Sequence, residues 1–310
     1  MPDAVRLARA VAATALTLAA ASACSSGGAA SSPAATPPAR EPAARFAPTD
    51  PASTGASPGD GRLEAVYEPG MTKANQREEA TLSKNKVLEG IAKYGNDRIR
   101  LPYVVGVTAA NCGGDGDASW RSFQHEIQFC YEFAESARKI YEKADGRGDG
   151  QGKKPSAAQV DDSVAGFTNG IVFHELGHAL IDMYDLPATG KEEDAVDQLS
   201  VLLLATGDDQ HARYALDTSK AWGGFAQADE ADGSASKRLE AYAAEHSLNA
   251  QRHFNWACWL YGSNPRAHAE LVRDKDRPGG ALPESRAGSC ANEFNRIKKA
   301  WTTLLKPYVK

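Results

Sequence analysis

Apolar residues recur at helical spacing over Glu78–Tyr94 (Leu82, Val87, Leu88, Ile91), which predicts an amphipathic helix. Ile99–Val107, IRLPYVVGV, reads as a strand, with Pro102 marking an edge or entry position. Trp120–Tyr131 alternates apolar and polar around Phe123, Ile127 and Phe129, the period of one strand in a small sheet, and runs into a helix over Glu132–Lys143. A Gly/Asp/Lys loop follows at Ala144–Lys154, and the next helix begins near Asp162. Its Ile171-Val-Phe and Ala179-Leu-Ile runs make it the most apolar segment of the chain's middle. Pro187 and Gly190 mark a turn before another helix. Beyond Gly207 the pattern is almost wholly helical: Asp208–Leu216, Ser236–Tyr261 (period carried by Leu239, Tyr242, His246 and Ala250) and Cys290–Leu305. Gly262–Pro265 and Arg277–Gly288 separate these helices. The expectation is one α+β, mostly helical domain over Arg62–Lys310, with a small N-terminal sheet and a helical C-terminal half.

The N-terminus has a different pattern. Arg6 and Arg9 precede apolar Ala10–Ala20, too short to span a bilayer, and Ala21-Ser22-Ala23 satisfies the small-residue cleavage rule. This predicts an export signal over residues 1–23. Cys24 followed by Ser-Ser-Gly-Gly resembles a bacterial lipoprotein signal, which implies lipidation of Cys24 and an anchor in the membrane; plain secretion is the alternative. Residues 24–61, with Pro33, Pro37, Pro38, Pro42, Pro48, Pro51 and Pro58 amid Ala, Ser, Thr and Gly, cannot bury enough apolar area to offset their ordering entropy. They read as a disordered tether to an extracytoplasmic domain. A net charge of −5 over 310 residues gives no electrostatic footprint for nucleic acid. Setting Cys24 aside, four cysteines remain, an even number suited to an oxidising compartment. Pairs Cys112–Cys130 and Cys258–Cys290 each close a local loop and are preferred over the other two connectivities; free buried thiols are the alternative. The protein is expected to be a monomer.

The chemistry concentrates in Ile171–Asp197. His174-Glu175-Leu-Gly-His178 is an H-E-x-x-H in an apolar helical run, and residues four apart share a helix face. Two imidazoles one turn apart clamp a single ion, and Glu175 stands beside it as a general base toward water on the metal. A chance pairing of two histidines on a helix is the bland reading, and the apolar setting weighs against it. Thr189 and Glu192 fit a capping box, which leaves Glu193 to face the ion as third ligand. Asp197, four residues on, is placed to accept the second N–H of a ligating histidine. Glu192 or Asp197 as the third ligand stays open. An oxyanion donor is still needed, and the predicted long helix offers His246, Arg252 and His253, with His246 and His253 on one face and His246 preferred. Tyr184 and Tyr261 are weaker candidates. The Trp120–Tyr131 strand, beside such a cleft, would hold an extended peptide by main-chain pairing.

HELGHAL followed by GKEEDAVDQ resembles a family of uncharacterised bacterial metallopeptidases, named from their motif, in the zincin group of thermolysin-like (gluzincin) pattern. The likeness covers most of Glu64–Lys310, including Cys112-Gly113, Ile127–Glu132 and Glu245–Gly262. It implies a zincin fold, one zinc ion and hydrolysis of a peptide or protein substrate. Carried over, His174, His178 and Glu193 are ligands, Glu175 the catalytic glutamate and Asp197 the carboxylate behind a ligand. Two departures stand out: the gap from His178 to Glu193 is shorter than in thermolysin, and the stretch after Cys112 lacks an Asn-Ala-aromatic pattern. The expected function is zinc-dependent peptide hydrolysis outside the cytoplasmic membrane; the alternative is a non-catalytic zincin-fold surface lipoprotein that binds metal or a partner.

Overall fold

The computed structural model describes residues 61–114, 116–143, 154–275 and 277–310. The export signal, Cys24, the tether up to residue 60 and loop residues 144–153 lie outside the described residues. The described chain is α+β and mostly helical, with a small mixed sheet. Strand β1 (Leu63–Tyr67) leads into helices α1 (Lys73–Lys84) and α2 (Val87–Arg98), which cross over to β2 (Val105–Ala110). A hairpin of β3 (Ala118–Arg121) and β4 (Glu126–Cys130) then enters α3 (Tyr131–Lys143). The sheet order is β1-β2-β4-β3, with β1, β2 and β4 parallel and β3 antiparallel at the edge. All six residues of β2 are buried, as a parallel strand covered on both faces must be.

Several expected boundaries move, each for a local reason. The helix expected over Glu78–Tyr94 is two helices, because Lys86 adopts a left-handed conformation (φ 51°) between them. Ile99 and Leu101 make only isolated bridges, and the strand proper starts at Val105, beyond Pro102. Trp120–Tyr131 is not one strand. It folds back through a 3-10 turn at Ser122–Gln124 with His125 at φ 49°, which leaves Phe123 85% exposed rather than in the core.

Helix α4 (Ala157–Tyr184) begins earlier than Asp162, at a capping box in which Ser156 and Gln159 satisfy each other's backbone N–H. From Val164 to Leu180 nearly every residue is buried, so the helix is apolar all round and forms the centre of the domain. Helix α5 (Glu192–Ala205) and helix α6 (Asp209–Asp232) pack on it at glycines. A Cβ on Gly177 would stand 2.7 Å from Val196, and one on Gly170 would stand 2.2 Å from Thr218 Oγ1. Helix α6 runs well past Leu216 because Trp222 and Phe225 pack with Phe133 and Phe167 in one aromatic cluster.

The helix expected over Ser236–Tyr261 is also two: α7 (Ala235–Ala243) and α8 (Asn249–Ser263), separated by residues 244–248. A two-strand pairing of β5 (Val272–Arg273) with β6 (Leu282–Pro283) precedes α9 (Glu284–Leu305), which takes up part of the loop expected at Arg277–Gly288. Disulfides join Cys112 to Cys130, tying the segment after β2 to the end of β4, and Cys258 to Cys290, tying α8 to α9. Among the described residues no helix is long and apolar enough to cross a membrane.

Candidate metal centre

Helix α4 brings His174 and His178 one turn apart, with ring centroids 5.0 Å from each other. Behind each ring, its Nδ1 meets a carboxylate of α5. His174 Nδ1 lies 2.8 Å from Asp197 Oδ1, and His178 Nδ1 lies 2.7 Å from Glu192 Oε1. With those protons assigned to Nδ1, both Nε2 atoms present lone pairs forward. Glu193 completes the group: its Oε2 is 3.1 Å from His174 Nε2 and 3.4 Å from His178 Nε2. One donor atom from each of His174, His178 and Glu193 falls within 4.8 Å of the others.

The geometry separates the three carboxylates that the sequence left in contention. The expected capping box does not form: Lys191 is the N-cap, without a side-chain cap, and Glu192 is the first residue of α5. Freed from that task, Glu192 turns to His178, Asp197 turns to His174, and Glu193 alone joins the two Nε2 atoms. Placing Glu192, Glu193 and Asp194 in the first turn also suits the positive end of the helix dipole.

Asp197 is buried and doubly held. Arg252, from α8, donates from Nε to Oδ2 at 2.8 Å and from an Nη to Oδ1 at 2.7 Å. The guanidinium lies 3.6 Å over the Trp222 ring. Burial alone would raise the Asp197 carboxyl, but Arg252 and then His174 override it and hold it well below the carboxylate range. Burial likewise pulls the His174 ring down, yet the neighbouring carboxylates of Asp197 and Glu193 push it up to about 9. A ring between two carboxylates favours positive charge beside it, whether a proton or a metal ion.

Glu175 lies beside these residues, its Oε1 4.0 Å from His174 Nε2, and lines a cleft of about 600 Å3 that it shares with His178, Glu192, Glu193 and His246. Its side chain is only 8% exposed and accepts no hydrogen bond among the described residues. Burial pushes its carboxyl above the usual value, against the pull of His174 and His178. One wall of the cleft is Ala118, Ser119 and Trp120 of β3. Cys130 N–H donates to Asp117, so the alternation of an antiparallel pair turns the main-chain groups of Ala118 and Trp120 away from β4. The Ala118 N–H is taken by Asp117 Oδ1, while the Trp120 indole donates to Asp182.

The oxyanion candidates scatter. His246 does reach the centre, but from the loop between α7 and α8, with Nε2 2.9 Å from Glu193 Oε2 and its ring stacked on His174. Ser247 to Asp194 and Lys191 to the carbonyls of Ala244 and His246 pin that loop to α5. His253 is not on one helix face with His246; it lies on α8 against Ser219, 2.7 Å from its carbonyl. Arg252 serves Asp197 rather than the cleft. Tyr184 donates to the Arg100 carbonyl and stacks on Tyr308, and Tyr261 packs against the core. The link from Arg252 to Asp197 was missed in the sequence, although a signal exists. Arg252 falls in register with buried Trp256 and Trp259, so a charge on the apolar face of α8 needed a buried partner.

A second cluster, Cys112, Cys130 and Glu132, is spent internally, since the sulfurs are bonded together and Glu132 accepts the N–H groups of Cys112 and Gly113. No curated protein and no solved structure matches the chain. A family model described as "Putative metallopeptidase" matches residues 67–305, and the chain belongs to that family.

Proposed function

We propose that the protein is a zinc-dependent peptidase of zincin type, acting outside the cytoplasmic membrane with Glu175 as its general base. Membership of the family implies a metal and a peptide or protein substrate. The observation that carries the reading is the convergence of His174, His178 and Glu193 beside a buried Glu175, which accepts no hydrogen bond among the described residues, in an open cleft. The donors suit an ion. Glu193 Oε2 is buried and makes no hydrogen bond of ordinary geometry, although three imidazole nitrogens crowd it. Two imidazoles and one carboxylate are a set that zinc takes with one position left open.

Zinc bound there supplies Lewis acidity toward a carbonyl and lowers the pKa of a coordinated water. The chain's own groups do the rest. Asp197, braced by Arg252, fixes the tautomer and direction of His174, and Glu192 does the same for His178. Glu175 removes a proton from the attacking water and returns it to the leaving amine. His246, on the cleft side of Glu193, turns to donate to the carbonyl oxygen as negative charge develops. The open edge of β3 aligns the peptide by main-chain pairing. A helix pair carrying the donors beside a sheet whose antiparallel edge strand walls the cleft supports the zincin assignment. The N-terminal signal and Cys24 support a lipid anchor, and two disulfides suit an oxidising compartment.

A surface protein that merely held metal would have no use for a buried carboxylate beside it that accepts no hydrogen bond among the described residues. Glu175→Gln tests this. The variant should keep about one metal per chain by elemental analysis and lose about 100- to 10,000-fold in peptide turnover. Wild-type turnover in that variant sinks the proposal.

A further inference from the structure

We infer that the cleft selects peptides with lysine or arginine next to the bond cut, the cationic end held by Asp182 and Asp185 at the C-terminal end of α4. The inference rests on the peptidase reading above and deepens it to a substrate class.

Asp182 lies in the last turn of α4 and Asp185 is its C-cap, at φ 48°. A helix C-terminus carries partial negative charge and favours cations. Here the last turn has no basic residue, and two carboxylates sit where the dipole disfavours them. Both line the cleft that Glu175 faces. That arrangement is poor in the free protein and is relieved when a cation enters.

Apolar surface lies next to the two acids in the same cleft. Ile181 and Leu186 line the same cavity beside Asp182 and Asp185, apolar surface for a methylene stem. Trp120, across from them, donates its indole N–H to Asp182 Oδ2 at 2.8 Å. That bond fixes the ring and leaves the rest of the carboxylate for a second donor. No lysine or arginine lines the cleft among the described residues, and Lys191 nearby spends its ammonium on the carbonyls of Ala244 and His246.

A second metal is the competing occupant of an acidic wall. Neither Asp182 nor Asp185 belongs to a close-set group of three donor atoms among the described residues. With no third donor close by among the described residues, the pair suits a guanidinium or an ammonium better than a zinc ion, which takes three or four protein ligands. Glu175, a carboxylate more than nine-tenths buried and without a hydrogen bond among the described residues, is aimed into the same cavity, so a ligand seated over it lies beside the two acids.

The test uses the purified, metal-loaded protein and matched fluorogenic peptides that carry Lys, Arg, Leu or Glu at each position flanking the cut. The Lys and Arg peptides should exceed the Glu peptide in kcat/KM by about 10-fold or more at one position, with the gap shrinking as salt rises. In Asp182→Asn/Asp185→Asn the ratio of Lys to Leu should fall by roughly 3- to 10-fold, the worth of two partly exposed ion pairs, with metal content unchanged. Asp185→Asn alone, at an exposed cap, should show a smaller fall and stands in if the double variant does not fold. Cleavage without Lys or Arg preference, or a ratio unmoved by the substitutions, overturns this inference and leaves the peptidase reading intact. No cleavage of any peptide by the metal-loaded wild type overturns both.

Discussion

Among the described residues two arginines are buried, each bidentate to a carboxylate, and they do different jobs. Arg138 of α3 gives Nε and an Nη to the two oxygens of Glu78, its other Nη to Asp161, and a further bond to Thr81. Every direction from that guanidinium ends within the fold, and the cluster ties α1, α3 and α4 together. Arg252 starts the same way, closing on both oxygens of Asp197, but the chain of contacts then continues outward. Asp197 meets His174 Nδ1, and His174 Nε2 points at Glu193 beside the cleft. A buried charge network that ends in itself is structural. One that delivers a lone pair to a cavity is a device for setting direction.

Breaking the closed network has the largest expected effect. Arg138→Ala strands Glu78, which is fully buried, without its partner and should cost about 3–5 kcal/mol of stability. A shift of the denaturant midpoint at unchanged slope reads this. The metal affinity of the folded fraction should stay at the wild-type value. A comparable loss of metal binding in Arg138→Ala would erase the distinction between the two networks.

Asp197→Asn cuts the open network where it matters. The amide keeps the shape and its oxygen can still accept, but the buried charge that pairs with Arg252 and favours the proton on His174 Nδ1 is gone, so metal affinity should fall about 10- to 100-fold in a competitive chelator titration. Arg252→Lys should follow part of that path, because an ammonium replaces neither the fork nor the stacking on Trp222. Unchanged affinity in both variants would reduce Arg252 and Asp197 to a second structural cluster.

How far the sequence revealed these features depended on their range. His174, Glu175 and His178 were readable because one helix sets their spacing, and Glu193 with Asp197 because the next helix follows after a short turn. The sheet was misread where a local kink decided it: alternation over Trp120–Tyr131 is the same for one strand as for two folded at His125, and only the positive φ there distinguishes them. Arg252 looked like a cleft residue because its partner is 55 positions away. His246 lines the cleft by a route that the pattern did not show. Its period match suggested one long helix, whereas the loop that carries it is held by Ser247 on Asp194 and Lys191 on two carbonyls, bonds between segments far apart in sequence.

The smallest expected effect sharpens the comparison within the centre. His174 and His178 each have a carboxylate behind Nδ1, at nearly equal distance, yet Asp197 is 3% exposed and Glu192 is 46% exposed. Water competes for Glu192 and screens it, whereas nothing replaces Asp197. Glu192→Gln should therefore weaken metal binding by less than about 1 kcal/mol, under roughly five-fold, in the same titration. The glutamine oxygen still accepts the His178 N–H. An effect as large as that of Asp197→Asn would mean that the carboxylate charge, and not its burial beside an arginine, is what orients a ligand here.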